Sequence, residues 1–291
     1  MENKVALAYL YTFDPKDETL LEKQFAEFQA AGCYDITINA LCLSRILAEP
    51  VFFIRLMMLA QKYNLRFTEA HGVWGPTLGM SIGGRFPSLT PIMLETHRRA
   101  MAHCADIGCR TYTVHTGAHE HLFFGVSVET CSEWIRRALD VLIPEAEKNG
   151  LVLALENNCE NPGSADVLLP IFESYDSKWF GCCYDMGHAH YLDSIPPRPN
   201  KIYPNGLKLE FCSDPLKKLY PHIVTAHVHD NDQTGDWHKL PGRGTIDWDT
   251  VMPELLRAPR LISIQAEADP KHDPFTIAEL KACFDRLIKM A

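Results

Sequence analysis

The feature that most constrains this chain is an alternation that runs along nearly its whole length. Eight short runs rich in apolar and β-branched residues are separated by longer segments whose apolar residues recur at spacings of three and four. The runs are Val5–Tyr11, Asp35–Ala40, Leu65–Ala70, Thr111–His115, Val152–Glu156, Gly181–Asp185, Ile223–His229 and Leu261–Glu267. Several are near-continuous apolar stretches, the pattern of strands buried on both faces. Leu20–Ala31, Arg45–Tyr63, Ile92–Gly108, Ser132–Asn149 and Phe275–Met290 read as helices with one packing face, and a helix begins near Asp247. Gly108 and Gly150 fall where helix stops belong. Strand and helix in regular alternation predict a parallel sheet covered by helices, and eight such units predict a (β/α)₈ barrel. The 291 residues fit one such domain, so 1–291 is read as a single unit. Two stretches are too long for plain connections: Gly72–Pro91, with Trp74, Gly75, Pro76, Gly83 and Gly84, and Tyr191–Tyr203, with Pro196-Pro197-Arg198-Pro199. Both are expected to be irregular excursions that cover substrate.

Polar residues fall where such a barrel assembles its active site. The third run ends in Glu69-Ala70-His71-Gly72, the fourth in Val114-His115-Thr116-Gly117, the fifth in Leu155-Glu156-Asn157-Asn158. The sixth ends in Tyr184-Asp185-Met186-Gly187-His188, the seventh in Ala226-His227-Val228-His229-Asp230, the eighth in Gln265-Ala266-Glu267-Ala268-Asp269. Carboxylates converging on one barrel mouth repel one another unless a cation compensates them. Glu156, Asp185 and Glu267 with one neutral imidazole therefore predict a divalent metal site, oxygen-rich with a single nitrogen. It suits Mn²⁺ or Zn²⁺ first, then Co²⁺ or Mg²⁺, with no organic cofactor. His227 and His229 lie two apart and share a strand face. His227 is taken as the ligand because the polar loop begins so soon after it, and His229 remains the alternative. Further on, Asp236-Trp237-His238 and Pro241-Gly242-Arg243-Gly244 form a loop able to close over a ligand, with Arg243 able to contact an anionic or polyhydroxylated substrate. His119, His121 and His190 lie near strand ends, whereas His97, His103 and His222 receive no chemical role.

Composition narrows the partners. No stretch approaches the run of about 20 apolar residues that a membrane helix needs, and the start, Met1-Glu2-Asn3-Lys4, does not resemble a signal peptide. The ten cysteines are scattered without a C-x-x-C pair, as expected of buried free thiols in a reducing cytoplasm. With 28 Lys and Arg against 37 Asp and Glu, the chain lacks the basic excess of a nucleic-acid-binding surface. A small-molecule partner is expected, without membrane or nucleic acid, and a homo-oligomer is compatible with the sequence.

These motifs, from Val114-His115-Thr116-Gly117 through Glu156-Asn157-Asn158, Asp185-Met186-Gly187-His188, His227-Val228-His229-Asp230 and the Asp236–Gly244 loop to Glu267, resemble the xylose isomerase-like barrel superfamily. The superfamily contains sugar and sugar-phosphate isomerases and epimerases and the endonuclease IV family. The resemblance implies one metal on Glu156, Asp185, His227 and Glu267, with Glu156 and Glu267 passing a proton to and from a ketose or sugar phosphate through an enediolate. It gives His188 a substrate oxygen, and His71, His115, Trp74 and Arg243 complete the expected substrate-binding set. The endonuclease IV resemblance implies additional metal at His71, His115, His188, Asp236 and His238, and a phosphodiesterase acting on abasic-site DNA. Trp237, standing where a basic residue facing DNA is expected, favours carbohydrate chemistry.

Overall fold

The computed structural model describes residues 5–290 apart from 12, 75–79, 85–87, 118, 195–201 and 203–205, and without the side chains of 119 and 120. The eight expected strands form a closed parallel barrel, β1 (Ala6–Tyr9), β2 (Asp35–Ile38), β3 (Arg66–His71), β4 (Thr111–Val114), β5 (Val152–Glu156), β6 (Phe180–Asp185), β7 (Ile223–Val228) and β8 (Ser263–Ala266), each paired with the next. Closure is made where β8 lies beside β1, with Ala6 opposite Ser263 and Tyr9 opposite Ala266. The helices between them are α1 (Glu18–Ala31), α2 (Ala40–Ala48), α3 (Pro50–Lys62), α4 (Thr90–Asp106), α5 (His119–Phe124), α6 (Val128–Asn149), α7 (Ala165–Phe172), α8 (Met186–Leu192), α9 (Pro215–Leu219), α10 (Trp248–Leu256) and α11 (Ile277–Leu287). Among the described residues no helix is long and apolar enough to cross a membrane.

The helix expected over Arg45–Tyr63 is two. Pro50 supplies the first turn of α3, and Glu49 before it is held at φ −131°, ψ 84°, outside the helical region that a residue preceding proline avoids. The first of the pair starts earlier than its apolar spacing suggests, because Asn39 caps it by accepting the Cys42 N–H at 2.9 Å. Helix α8 was not apparent in the sequence. It follows β6 without a loop, Asp185 being both the last strand residue and the helix cap.

The barrel interior is polar on its floor. Thr37 donates to Gln265 at 2.9 Å, Gln265 donates to Thr225 at 2.9 Å, and Thr225 meets Ser263 at 2.9 Å. Glu69, which ends the third run alongside His71, belongs to this floor and not to the mouth. It lies two residues deeper on the same face, and Arg110 and Thr111 bond its carboxylate. Burial pushes its pKa up while the Arg110 charge opposes the rise. Between barrel and helix, Tyr9 of β1 and Phe13 pack against Phe25 and Phe28 of α1, Tyr9 on Phe28 and Phe13 on Phe25 edge to face. All ten cysteines are free thiols.

Candidate active site

Glu156, Asp185, His71, His115, His227 and Glu267 reach the mouth at or next to the ends of their strands, His188 from α8, and Asp236 and His238 from the loop after β7. Glu156 closes β5, and its Oε2 lies 3.1 Å from Nε2 of His115 and 3.7 Å from Nε2 of His71. Its Oε1 lies 3.4 Å from Nδ1 of His227 and 3.5 Å from Nδ1 of His188. Nδ1 of His227 is also 2.9 Å from Oε2 of Glu267 and 3.8 Å from Oδ2 of Asp185. Glu156, Asp185, His227 and Glu267 thus place one donor atom each within 4.8 Å of one another, as do His71, His115 and Glu156.

Several histidines have their ring orientation fixed by a carbonyl. Nδ1 of His71 donates to Gly72 O at 3.1 Å, that of His188 to Asn157 O at 2.9 Å, and that of His238 to Glu267 O at 2.9 Å. With Nδ1 turned to a carbonyl, each ring directs its Nε2 to the mouth, the arrangement that orients metal-ligating histidines.

The two alternatives on β7 resolve into two places. His227 joins the carboxylates of the first cluster, its ring stacked 5.5 Å from that of His71. His229 lies with its Nε2 3.1 Å from both oxygens of Asp185 and its ring stacked 4.0 Å from His238. A second cluster, His188, His229, Asp236 and His238, has its donor atoms equally close. In it Asp236 Oδ2 receives Nε2 of His188 at 3.2 Å and Nε2 of His238 at 3.1 Å.

These donor sets suit a divalent cation on an observation of their own. Both oxygens of Glu156, both nitrogens of His227, Oε2 of Glu267, Oδ1 of Asp236 and Nδ1 of His229 are buried without a hydrogen bond. The short His227–Glu267 approach is close in distance but not aligned as one. So many unsatisfied donors at one spot are costly unless a cation gathers them. The charge distribution agrees. Burial opposes ionisation of Glu156, but the fields of His115 and His227 prevail and hold its pKa well below the ordinary value. Glu267 and Asp236 are likewise depressed, burial being outweighed by His227 for the first and by His188 for the second. Burial would lower His238, yet Asp236 lifts it to about 10. His71 goes the other way, pushed down to about 4 by burial and by His115, so it is neutral near pH 7.

A cavity of about 440 Å³ opens over this centre, lined by His71, His115, Glu156, His188, Asp236, His238 and Glu267 on one side and by Leu10, Tyr11, Ala40, Leu41 and Ala268 on the other. Trp74 stands at its edge with its ring stacked 4.9 Å from that of His115. Arg243 does not come to the cavity: its guanidinium bonds Asp273 at 2.9 Å and the carbonyl of Pro274 at 2.9 Å. The glycines beside it serve the protein itself, because a Cβ at Gly244 would lie 2.2 Å from Asp230 Oδ1 and from Asn231 O. His121 is turned to Val126 O at 2.7 Å and His190 to Thr245 at 2.8 Å, both away from the centre. Gly75, Pro76, Arg85 and the Pro196–Pro199 segment lie outside the described residues, as does the side chain of His119.

Supporting residues without a role in the sequence reading complete the site. Asn157 accepts the Asp185 N–H at 2.8 Å and donates to Asp185 O at 2.9 Å, which locks the ends of β5 and β6 together. Asn231 donates to Gly187 O at 2.7 Å. Asp230, fully buried, accepts from Gly242 N at 2.8 Å and from the Trp248 indole at 2.8 Å. Their signal was adjacency to a strand-end ligand, which a sequence shows without saying what the side chain meets.

The family model described as xylose isomerase-like TIM barrel matches residues 59–285. Two uncharacterised proteins are similar: y4fM of Sinorhizobium fredii, 25% identical over 50% of this chain and 43% of its own, and MJ1311 of Methanocaldococcus jannaschii, 26% identical over 69% and 63%. The chain therefore matches less than two thirds of the length of either. Among solved structures, a D-tagatose 3-epimerase-like protein superposes with a TM-score of 0.72 at 19% identity, covering 98% of both chains. An IOLI protein with a bound zinc atom gives 0.70 at 14% identity, again over 98% of both. These two likenesses carry the fold.

Proposed function

The chain belongs to the xylose isomerase-like TIM-barrel family, and we propose that it is a divalent-metal-dependent isomerase or epimerase of a ketose-type sugar. The observation that carries this reading is the pair Glu156 and Glu267, both facing one cavity, both held as carboxylates, and both reaching Nδ1 of the same histidine, His227, at 3.4 and 2.9 Å. Glu156, Asp185, His227 and Glu267 would hold the ion. When bound, a divalent cation acts as a Lewis acid on adjacent substrate oxygens and eases loss of the neighbouring C–H proton.

The remaining chemistry belongs to the protein. One glutamate accepts the proton from the carbon beside the carbonyl, giving an enediolate; the other takes a proton from solvent and delivers it to carbon, and the first then releases its own to solvent. Return to the same carbon on the opposite face inverts it; return to the adjoining carbon shifts the carbonyl. His188, fixed through its Nδ1 and lining the cavity, directs Nε2 toward a substrate oxygen. Trp74 offers an apolar ring face against which the C–H face of a sugar packs.

The test is turnover in D₂O with a panel of ketoses and ketose phosphates. We expect deuterium at the reacting carbon with the wild type and a loss of turnover of at least about a hundredfold in Glu156→Gln and in Glu267→Gln. Full turnover in both variants overturns the mechanism.

The second cluster, His188, His229, Asp236 and His238, favours one other reading, a multinuclear phosphodiesterase acting on abasic-site DNA. The net charge of −9 weighs against it. Metal-dependent nicking of an abasic duplex, lost in Glu267→Gln, would establish it in place of the sugar reading.

A further inference from the structure

The mouth holds more room than one sugar ring at the glutamates requires, and the excess is organised. A second cavity of about 180 Å³ adjoins the first, lined by Ser81, Gly117, Asn158, Cys159 and Glu160 together with Trp74, His115, His188 and Asp236. The last four also line the larger cavity. The two are therefore lobes of one cleft, and the stacked Trp74–His115 pair stands where they meet. Beyond the shared residues, the larger lobe is lined from the ends of β1, β2, β3, β5 and β8, and the smaller from just past β4 and β5.

Their chemistry differs. The large lobe is lined by Glu156 and Glu267, by the polar Asn39, Asp269 and His272, and by Leu10, Tyr11, Ala40, Leu41 and Ala268, Leu41 being 49% exposed. The small lobe is polar and compact. Asn158 commits its Oδ1 to Thr116, at 2.6 Å from the hydroxyl, which leaves its Nδ2 donors for a ligand. Among the described residues the Glu160 carboxylate has no hydrogen bond or ion pair, and it faces the lobe as an acceptor. Neither lobe is lined by Lys or Arg among the described residues. Three arginines are paired away from the cleft: Arg243 with Asp273, Arg45 with Glu18 and Glu49, and Arg110 with Glu69 on the barrel floor. Among the described residues lining the small lobe, Glu160 is a carboxylate without an ion pair, so an anionic group there would lie beside an uncompensated negative charge.

We infer that the cleft is built for an uncharged two-unit substrate, a ketose carrying a second sugar in glycosidic linkage, with the reacting unit in the large lobe and the second sugar in the small one. The inference rests on the proposed sugar chemistry at Glu156 and Glu267 and extends it to a substrate class. Hydroxyls of the second unit pair with Asn158 Nδ2 and Glu160, and Trp74, 42% exposed, is the platform both units share. A free ketose leaves the small lobe to water, and a ketose phosphate brings a charge for which no Lys or Arg lines the lobe among the described residues.

The test measures binding to metal-loaded protein by calorimetry, with turnover recorded separately. The ligands are fructose, fructose 6-phosphate and three glucosyl-fructoses of different linkage: turanose, maltulose and isomaltulose. At least one glucosyl-fructose should bind about tenfold or more tighter than fructose and than fructose 6-phosphate. In Glu160→Trp, which fills the small lobe, that advantage should vanish while fructose binding stays within about twofold. Fructose or its phosphate binding as tightly as every disaccharide overturns the inference, and so does an advantage that survives Glu160→Trp. The underlying sugar chemistry fails separately: lobe-dependent disaccharide binding without deuterium incorporation would leave this substrate class standing and remove the proton-transfer mechanism.

Discussion

Replacing Asp230 by alanine tests whether the loop that carries Asp236 and His238 is held from within. Asp230 is fully buried just beyond β7 and touches neither cavity. Its Oδ2 receives the Gly242 N–H at 2.8 Å and the Trp248 indole N–H at 2.8 Å, and its Oδ1 receives the Ile246 N–H at 3.3 Å. Its own backbone pairs with Lys239 in both directions at 2.8 Å. Asp230→Ala leaves the backbone pair and removes the acceptor for three N–H groups, two of them well placed. A hydrogen bond to a charged acceptor contributes about 1.5–3 kcal/mol. The two short bonds thus bring the expected loss to about 3–5 kcal/mol, the long third bond being offset by relief of a buried carboxylate. Urea unfolding followed by far-UV circular dichroism measures it, since a lower midpoint at unchanged slope reports stability alone. Asp230→Asn, which keeps one acceptor oxygen, should fall between the two. A loss below about 1 kcal/mol for Asp230→Ala would refute the claim that this carboxylate organises the loop.

Other consequences can be measured independently. Chelator-stripped protein should gain thermal stability on addition of Zn²⁺ or Mn²⁺, by about 2.7 kcal/mol when the free ion is a hundredfold above its Kd, and a Glu156→Gln, Asp185→Asn double variant should show a clearly smaller shift at the same ion concentration. A Cβ at Gly187 would lie 2.0 Å from Cε1 of His229; Gly187→Ala should therefore displace that ring from Asp185 and weaken metal binding about tenfold or more with unchanged circular dichroism. An unchanged titration would mean that His229 does not support the site. Burial pushes His97 from 6.5 down to about 4, so it is neutral in the fold while the unfolded chain takes up a proton below 6.5. Stability present above pH 6.5 should drop by roughly 3 kcal/mol from this residue as pH falls toward 4, and His97→Gln should remove that part of the pH slope in parallel denaturant titrations.

The strand-end carboxylates were readable as candidates because a carboxylate closing an apolar run has few inexpensive explanations: Glu156, Asp185 and Glu267 each stand where buried backbone stops. Glu69 shows the limit of that rule, since its position two residues before His71 leaves it on the same face but one layer down, where Arg110 meets it. Arg243 was expected at the substrate because it lies between two glycines in a strand-end loop. Its partner is Asp273, 30 positions along the chain, and no local pattern announces a contact of that range. Gly244 is required by the nearness of Asp230 and Asn231, a backbone-to-carboxylate fit that a ligand-binding loop would imitate in sequence. The break between α2 and α3 was visible in Pro50 itself, but the apolar spacing on either side keeps nearly the same phase and reads as one helix.

Asp185 also ties the two halves of the mouth together. One oxygen lies 2.6 Å from the His188 N–H that it caps, both lie 3.1 Å from His229, and the other is 3.8 Å from His227. The same carboxylate thus orients one member of the first cluster and two of the second. Occupation of one cluster redistributes the lone pairs left for the other, so the two affinities form a single thermodynamic cycle. Whatever factor the first occupant imposes on the second, the second imposes on the first. Titrations of this mouth should accordingly depart from independent-site curves, and the departure should be the same whichever cluster is filled first.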